Sequence, residues 1–365
     1  FGFVDRSWND TIVSRSWSFS NGSSSSGAST ASVTNVTFTQ PGWVNVTLTV
    51  TGNNTGSSTV TRPAVYVADP NAVKGLGYFQ EFNPDGDVDK WPMFNYFENS
   101  HKWEVVSNIG YYDKFAIRYN NYDDRITFPS YLTGTPQGDY DDFFSPVFDL
   151  SGPEYATNCN LNFMSAGAFR TTDPSEMNDS LEIYYSTNCG DSWSLVRAPL
   201  TKTEIGNNGT QTISYAPTWM GEWQLQSIPL PEAAKSPKTV FRFRYKPGVF
   251  ANTLIGSGNN FYMDRIHISQ FPTGVDGTML EKQGIVLTPN PTHGGAKLMV
   301  NNGQTGVAQV QVTDVTGKLV FQMEHQMTPG LNTIEIPASY ITAKGMYMVQ
   351  LVSGNKTYTE KLVVY

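Results

Sequence analysis

Cysteine, histidine and charge are all scarce in this 365-residue chain: two Cys, four His and a charged fraction of 15%. Two cysteines cannot make a disulfide framework, and no CxxC or histidine cluster accompanies them, which argues against a zinc site. Cys159 and Cys189 could pair in an oxidising compartment or stand as unbonded thiols. His101, His267, His293 and His325 are scattered, and none lies in an HExxH pattern, so metalloprotease chemistry is absent from these residues. No Gly-x-Ser-x-Gly elbow has a credible histidine partner. The acid pairs Asp123–Asp124 and Asp141–Asp142 are read as solvated neighbours, not as a hydrolytic pair. No apolar run approaches the roughly 20 residues of a membrane span. With 24 basic against 32 acidic residues and a net charge of −8, the chain lacks the basic patch that phosphate backbones require.

Helical periodicity is nearly absent too. What is present is short alternation of apolar and polar residues between turn-forming clusters, with aromatics at 13%: an all-β chain of two or three domains. The acidity is concentrated, since residues 71–279 hold 15 of the basic and 24 of the acidic residues. Phe1 opens directly on a strand-like stretch without a signal-peptide pattern, so a preceding N-terminal region is expected.

The last stretch, Gly284 to Tyr365, is the most informative. Val310, Val312, Leu319 and Phe321 alternate with polar neighbours across a Gly-containing turn at Asp314 to Lys318, which reads as a hairpin. Tyr347, Val349 and Leu351 alternate again, and Ser353-Gly354-Asn355 turns into Tyr358 to Val364. Pro289 and Pro291 suit an edge or a domain opening. Four landmarks occur in order: Pro289-Asn290-Pro291, Asp314-x-x-Gly317-Lys318, Gly345-x-Tyr347 and Lys361-Leu362-Val363-Val364. Together they resemble the C-terminal sorting domain of type IX secretion cargo in Bacteroidetes. The resemblance implies delivery through periplasm and outer membrane to the cell surface or outside. It also implies recognition by an outer-membrane shuttle and by translocon proteins.

At the other end, Trp17-x-Phe19-x-x-Gly22 and Phe38-x-x-Pro41-Gly42-Trp43 lead into alternation up to Val50, a pattern similar to a PKD domain. That resemblance implies an immunoglobulin-like spacer. The centre carries Ser145-Pro146-x-x-Asp149-Leu150, Asp179-x-Leu181-x-Ile183-x-Tyr185-Ser186, Cys189-Gly190-x-x-Trp193 and Asn259 to Ile266. These resemble the MAM-like or cleaved-adhesin jelly rolls of secreted Bacteroidetes proteins. Such jelly rolls often follow a catalytic domain, and the resemblance implies a zinc metalloprotease of the cytophagalysin kind as the source of the expected N-terminal region.

The expected architecture is therefore a PKD immunoglobulin-like sandwich (1–70), a jelly-roll sandwich (77–270), a linker (271–283) and a small immunoglobulin-like sandwich (284–365). Asp85, Asp87 and Asp89 alternate around Gly86 with the hard oxygen ligands of a calcium loop, although no Glu stands at the twelfth position. By resemblance, a structural calcium would tie first strand to last, adding Glu81 and Asp264, with Asp179 as a further candidate ligand. The alternative is an acidic surface turn. Exposed rings could stack on sugars, with Trp91, Tyr111, Tyr112, Tyr119, Tyr122, Trp219 and Trp223 as candidates, though most would fill the core. The expected function is a non-catalytic exported surface protein. The alternative is an adhesin module holding a surface glycan or protein.

Overall fold

The computed structural model describes residues 2–364 except 22–28, 30, 34–35, 112, 123–137, 157–158, 250–256, 270–284, 289, 291, 293, 303–304 and 329. Every extended element in it is a strand, and the only helices are three-residue 3-10 turns. The fold is all-β, with several sandwich-type sheets. The chain separates into two compact units, residues 1–151, 164–224 and 231–266, and residues 152–163, 225–230 and 267–365. The expected linker, Gly284, Pro289, Pro291, His293, Asp123, Asp124 and Tyr112 lie outside the described residues.

In the first unit, strands Ile12–Phe19, Gly42–Gly52 and Gly56–Val67 form an antiparallel sheet, and Phe3–Val4 pairs with Ser32–Val33. Trp17, Val33, Val44, Val46 and Val65 pack beneath it with Phe3, Phe19 and Phe38 around them. The opposite face is a ladder of hydroxyls: Thr47–Thr61, Thr49–Thr59 and Thr51–Ser57 meet at 2.8, 2.9 and 2.8 Å. Such cross-strand pairs contribute roughly 0.2–1 kcal/mol each. Trp43 does not join the core. It is 38% exposed and packs 4.7 Å from Phe94, between ring centroids.

Residues 79–269 build two six-stranded sheets. One runs Ser194–Leu195, Ser180–Ser186, Val240–Lys246, Asp141–Phe144, Met93–Phe94, with Leu200–Thr201 also on Ser180–Ser186. The other runs Gln224–Pro229, Asn160–Phe169, Gly258–Ser269, Phe115–Tyr119, Trp103–Ser107, with Phe79–Gln80 also on Gly258–Ser269. Aromatic rings fill the space between them. Phe143 stacks on Phe243 at 4.5 Å, Tyr119 on Tyr245 at 4.4 Å, and Trp103 meets Phe143 edge-on at 4.8 Å. Each such pair adds about 0.5–1.5 kcal/mol beyond area burial. Strand Val240–Lys246 shows how alternation sorts the faces: Phe241, Phe243 and Tyr245 are buried, while Arg242, Arg244 and Lys246 point the other way. Strand Gly258–Ser269 is buried along its whole length. Asn259 explains part of this, because its side chain binds Gln211 O, Ile213 O and Tyr215 N and so ties the 211–215 segment over the strand.

In the second unit, Ile285–Thr288, Ala296–Asn302 and Gly330–Ile336 form one sheet. Leu319–Met327, Gly306–Asp314, Gly345–Ser353 and Lys356–Val364 form the other. The core is aliphatic, with Leu298, Val300, Val310, Val312, Ile334, Val349, Leu351 and Leu362 all essentially inaccessible. The hairpin expected at Asp314 to Lys318 is present, with Gly317 at φ +83°. Leu319 departs from expectation: a register shift between Val312 and Thr313 leaves it 46% exposed.

Candidate functional site

The landmarks of the C-terminal stretch are far apart in sequence, and the structure joins two of them. Asn290 Nδ2 donates to Lys361 O at 2.6 Å, and Val363 N donates to Asn290 Oδ1 at 2.9 Å. One side chain thereby occupies a donor and an acceptor on the outer edge of the last strand. Thr292 N extends the contact by donating to Val363 O at 2.8 Å. Leu362 and Val364 face the core between these points, while Lys361 is exposed. Edge strands present unpaired backbone groups, and this clamp closes part of one.

The other landmarks are local. Asp314 Oδ1 accepts from Thr316 N, Thr316 Oγ1 and Lys318 N at 2.8, 2.6 and 3.1 Å. These bonds, led by the Thr316 hydroxyl, hold its carboxyl below the usual range. Gly345 opens its strand at φ +145°, where a side chain would be strained. Tyr347 is buried and its hydroxyl donates to Ala343 O at 2.8 Å.

The six carboxylates expected to hold calcium do not converge. Among the described residues no group of three His, Cys, Asp or Glu is placed to hold a metal. Asp87 is paired with Lys74 Nζ at 2.6 Å, and Asp89 with Lys90 Nζ at 2.8 Å. Asp85 sits exposed in a turn closed by Asn83 Oδ1. The positive charge beside Glu81 is the guanidinium of Arg265. Arg265 has φ +53°, an unusual backbone state that places its side chain toward Glu81. Asp264 is buried, takes N–H bonds from Tyr111 and Arg265 at 2.8 and 2.7 Å, and burial pushes its carboxyl well up. Asp179 is also buried and raised by burial. It accepts from Asn121 Nδ2 at 2.8 Å and Ser257 Oγ at 2.6 Å. As arranged, these residues do not fit a calcium cage. No disulfide joins the cysteines, Cys159 being buried and Cys189 exposed on a turn at φ +61°, so the paired alternative is not what this structure holds.

Asp141 and Asp142 were expected in solvent and are both buried. Neighbours in a strand face opposite ways. Asp142 takes the outer face and accepts two bonds from Arg244, from Nε and Nη2, both at 2.8 Å. Asp141 takes the inner face. Its Oδ1 accepts from Tyr96 N at 2.8 Å, its Oδ2 is buried without a partner, and burial pushes its carboxyl up to about 7. Of the candidate stacking rings, Trp91, Tyr119 and Trp223 are core, Tyr111 and Tyr122 are half-buried, and Trp219 is 68% exposed.

A cluster that the sequence reading missed lies on the outer face of the sheet containing Val240–Lys246. Arg242 lies over the rings of Tyr184 and Trp193 at 4.1 and 4.7 Å from their centroids. Arg244 lies over Tyr140 at 3.9 Å, and Lys246 Nζ meets Glu182 at 2.6 Å. The signal was available as Arg242-x-Arg244-x-Lys246, charges at period two, but their ring partners come from another strand and from connections distant in sequence.

Comparison with protein families gives two partial matches. Residues 287–365 match the family described as secretion system C-terminal sorting domain, and residues 155–269 match Reelin subrepeat B. The first match makes the chain a type IX secretion cargo, delivered to the cell surface or outside. No helix among the described residues is long and apolar enough to cross a membrane. No curated protein matches the chain. Among solved structures, the glycoside hydrolase domain of Endo-D from Streptococcus pneumoniae R6 is 11% identical with a TM-score of 0.29, covering 75% of this chain and 37% of that one. A β-1,2-glucanase from Parabacteroides distasonis is 11% identical with a TM-score of 0.28, covering 75% and 35%. The chain thus spans little more than a third of either structure's length.

Proposed function

We propose that this chain is a non-catalytic cargo whose C-terminal sandwich is read by an outer-membrane shuttle protein and its translocon. The observation that carries the reading is the Asn290 clamp. It binds the opening of the matched stretch to its last strand, so the landmarks form one folded object rather than separate linear tags. A folded surface with one clamped edge suits recognition by strand addition on the remaining edge together with side-chain pockets. Residues 1–70 fit a passive PKD-like spacer, since their exposed face is a threonine ladder.

Deleting Gly345 to Tyr365 removes two of the four strands of the larger C-terminal sheet. The expected outcome, read by cell fractionation, is retention in the periplasm. Normal surface display of the truncated protein would sink the proposal. A second reading, favoured by the ring-and-cation face around Arg242, is that residues 77–270 also bind a surface glycan or protein. A glycan array probed with the chain tests it.

A further inference from the structure

The outer face of the sheet carrying Val240–Lys246 is organised in rows by strand register. Tyr184 and Phe144 flank Arg242, and Glu182 and Asp142 flank Arg244. The second row is charge-balanced, because Arg244 binds Asp142 through two bonds of 2.8 Å and Tyr96 donates to the same carboxylate at 3.0 Å. Glu182 is likewise taken, by Lys246 at 2.6 Å and by the Tyr184 hydroxyl at 2.5 Å. Arg242 is different. Its nearest carboxylate oxygen is Asp142 Oδ2 at 4.0 Å, and its Nε is buried with no acceptor. Its side chain keeps 14% of its surface open while the rings of Tyr184 and Trp193 hold the guanidinium in place. A planar, weakly hydrated fork held by aromatic faces has already lost the freedom that anion binding would otherwise cost.

We infer that this face binds a carboxylate-bearing saccharide, a uronic acid residue within a polysaccharide, with Arg242 as the anchor for its carboxylate. Charge complementarity selects an anion, since Arg242 is the one outward cation of this strand without a hydrogen-bonded carboxylate. Position on the sheet selects a saccharide over an acidic peptide. Strand Val240–Lys246 is paired on both sides, by Ser180–Ser186 and Asp141–Phe144. No main-chain edge is therefore offered to a peptide there, whereas peptides that dock on sheets do so mainly by edge addition. What the face offers is side chains alone: rings and one guanidinium fork without a hydrogen-bonded carboxylate, which suit a rigid sugar bearing a carboxylate.

This inference deepens the binding reading above and leaves export untouched. The test is calorimetry of the full chain with short oligogalacturonates, with the same oligomers after carboxyl reduction, and with polyglutamate. The expected result is binding of the oligogalacturonates alone, weakening as salt is raised. Arg242→Gln is expected to lose about tenfold or more in affinity, and Arg242→Lys to fall between the two, because it keeps the charge without the fork. Val60→Ala, exposed on strand Gly56–Val67 and away from this face, is expected to bind as wild type. If Arg242→Gln fails to fold, Arg242→Lys alone decides. Oligogalacturonate binding that is absent, or unchanged in both Arg242 variants, overturns the inference. So does equal binding of the reduced oligomers, which would leave a neutral-glycan module standing. Equal, Arg242-dependent binding of polyglutamate would overturn it in favour of an acidic protein partner. An array on which no glycan binds at all would overturn the inference and remove the glycan half of the binding reading with it.

Discussion

The sandwich of residues 79–269 and the one of residues 285–364 share a two-sheet plan and differ in filling. The first is packed with aromatic rings and buries Asp141, Asp142, Asp179 and Asp264. The second is packed with aliphatic side chains, and its buried polar residues among those described are Thr292 and Asn332. Buried carboxylates are costly unless hydrogen-bonded or paired. The larger sandwich thus stakes its stability on side-chain networks and on pH. The smaller one relies on apolar area, with backbone clamps at its margins to fix register. A domain that serves as a portable signal is better built the second way, since its fold then depends little on solution conditions.

The contrast can be broken most directly in the two cores. Phe143→Ala should cost about 3–5 kcal/mol and Leu362→Ala about 2–5 kcal/mol, each through lost burial and the cavity left behind. Hydrogen–deuterium exchange in mild urea should show each loss confined to its own sandwich. Loosening of residues 285–364 by Phe143→Ala would mean that the two are not independent.

The next effect concerns pH. The Asp141 carboxyl is raised to about 7 in the fold, against about 4 in an unfolded chain. Between these values the native state holds a proton that the unfolded state releases, so this group makes stability fall as pH rises from about 4 to 7. Asp141→Asn should flatten that slope, as followed by thermal melts across the range. A slope of the same size in the variant would move the pH dependence elsewhere. Residues 285–364 should show little slope of their own in either protein.

The smallest effect is expected at Asn290. Replacing it with Ala removes two hydrogen bonds at the edge of the last strand, each worth about 0.5–1.5 kcal/mol net and less where water can substitute. Faster amide exchange at Val363 with an unchanged core is the expected signature. No change at Val363 would mean that Thr292 alone holds this edge.

Much of the strand content was legible because alternation is a local property. Val310, Val312, Tyr347, Val349 and Leu351 announce their buried face without knowledge of their partners. A turn read equally well where one residue type is required, as at Gly317. Burial of the acids was not legible. Asp141 and Asp142 look like a solvated pair until Arg244 and Tyr96 are brought to them from strands and turns elsewhere. The partners of Asp87 and Glu81 were not legible for the same reason, since Lys74 and Arg265 reach them only in the folded chain.

By itself the sequence determined the all-β class, the position of most strands and the C-terminal stretch as an address for export, because period, turn chemistry and short ordered motifs need only neighbours along the chain. Tertiary structure alone decided which carboxylates are paired, that Asn290 closes the edge of the last strand, and that Arg242 lies over two rings without a hydrogen-bonded carboxylate. Those outcomes depend on register between strands distant in sequence, and a shift of one residue would send each of these side chains to the opposite face.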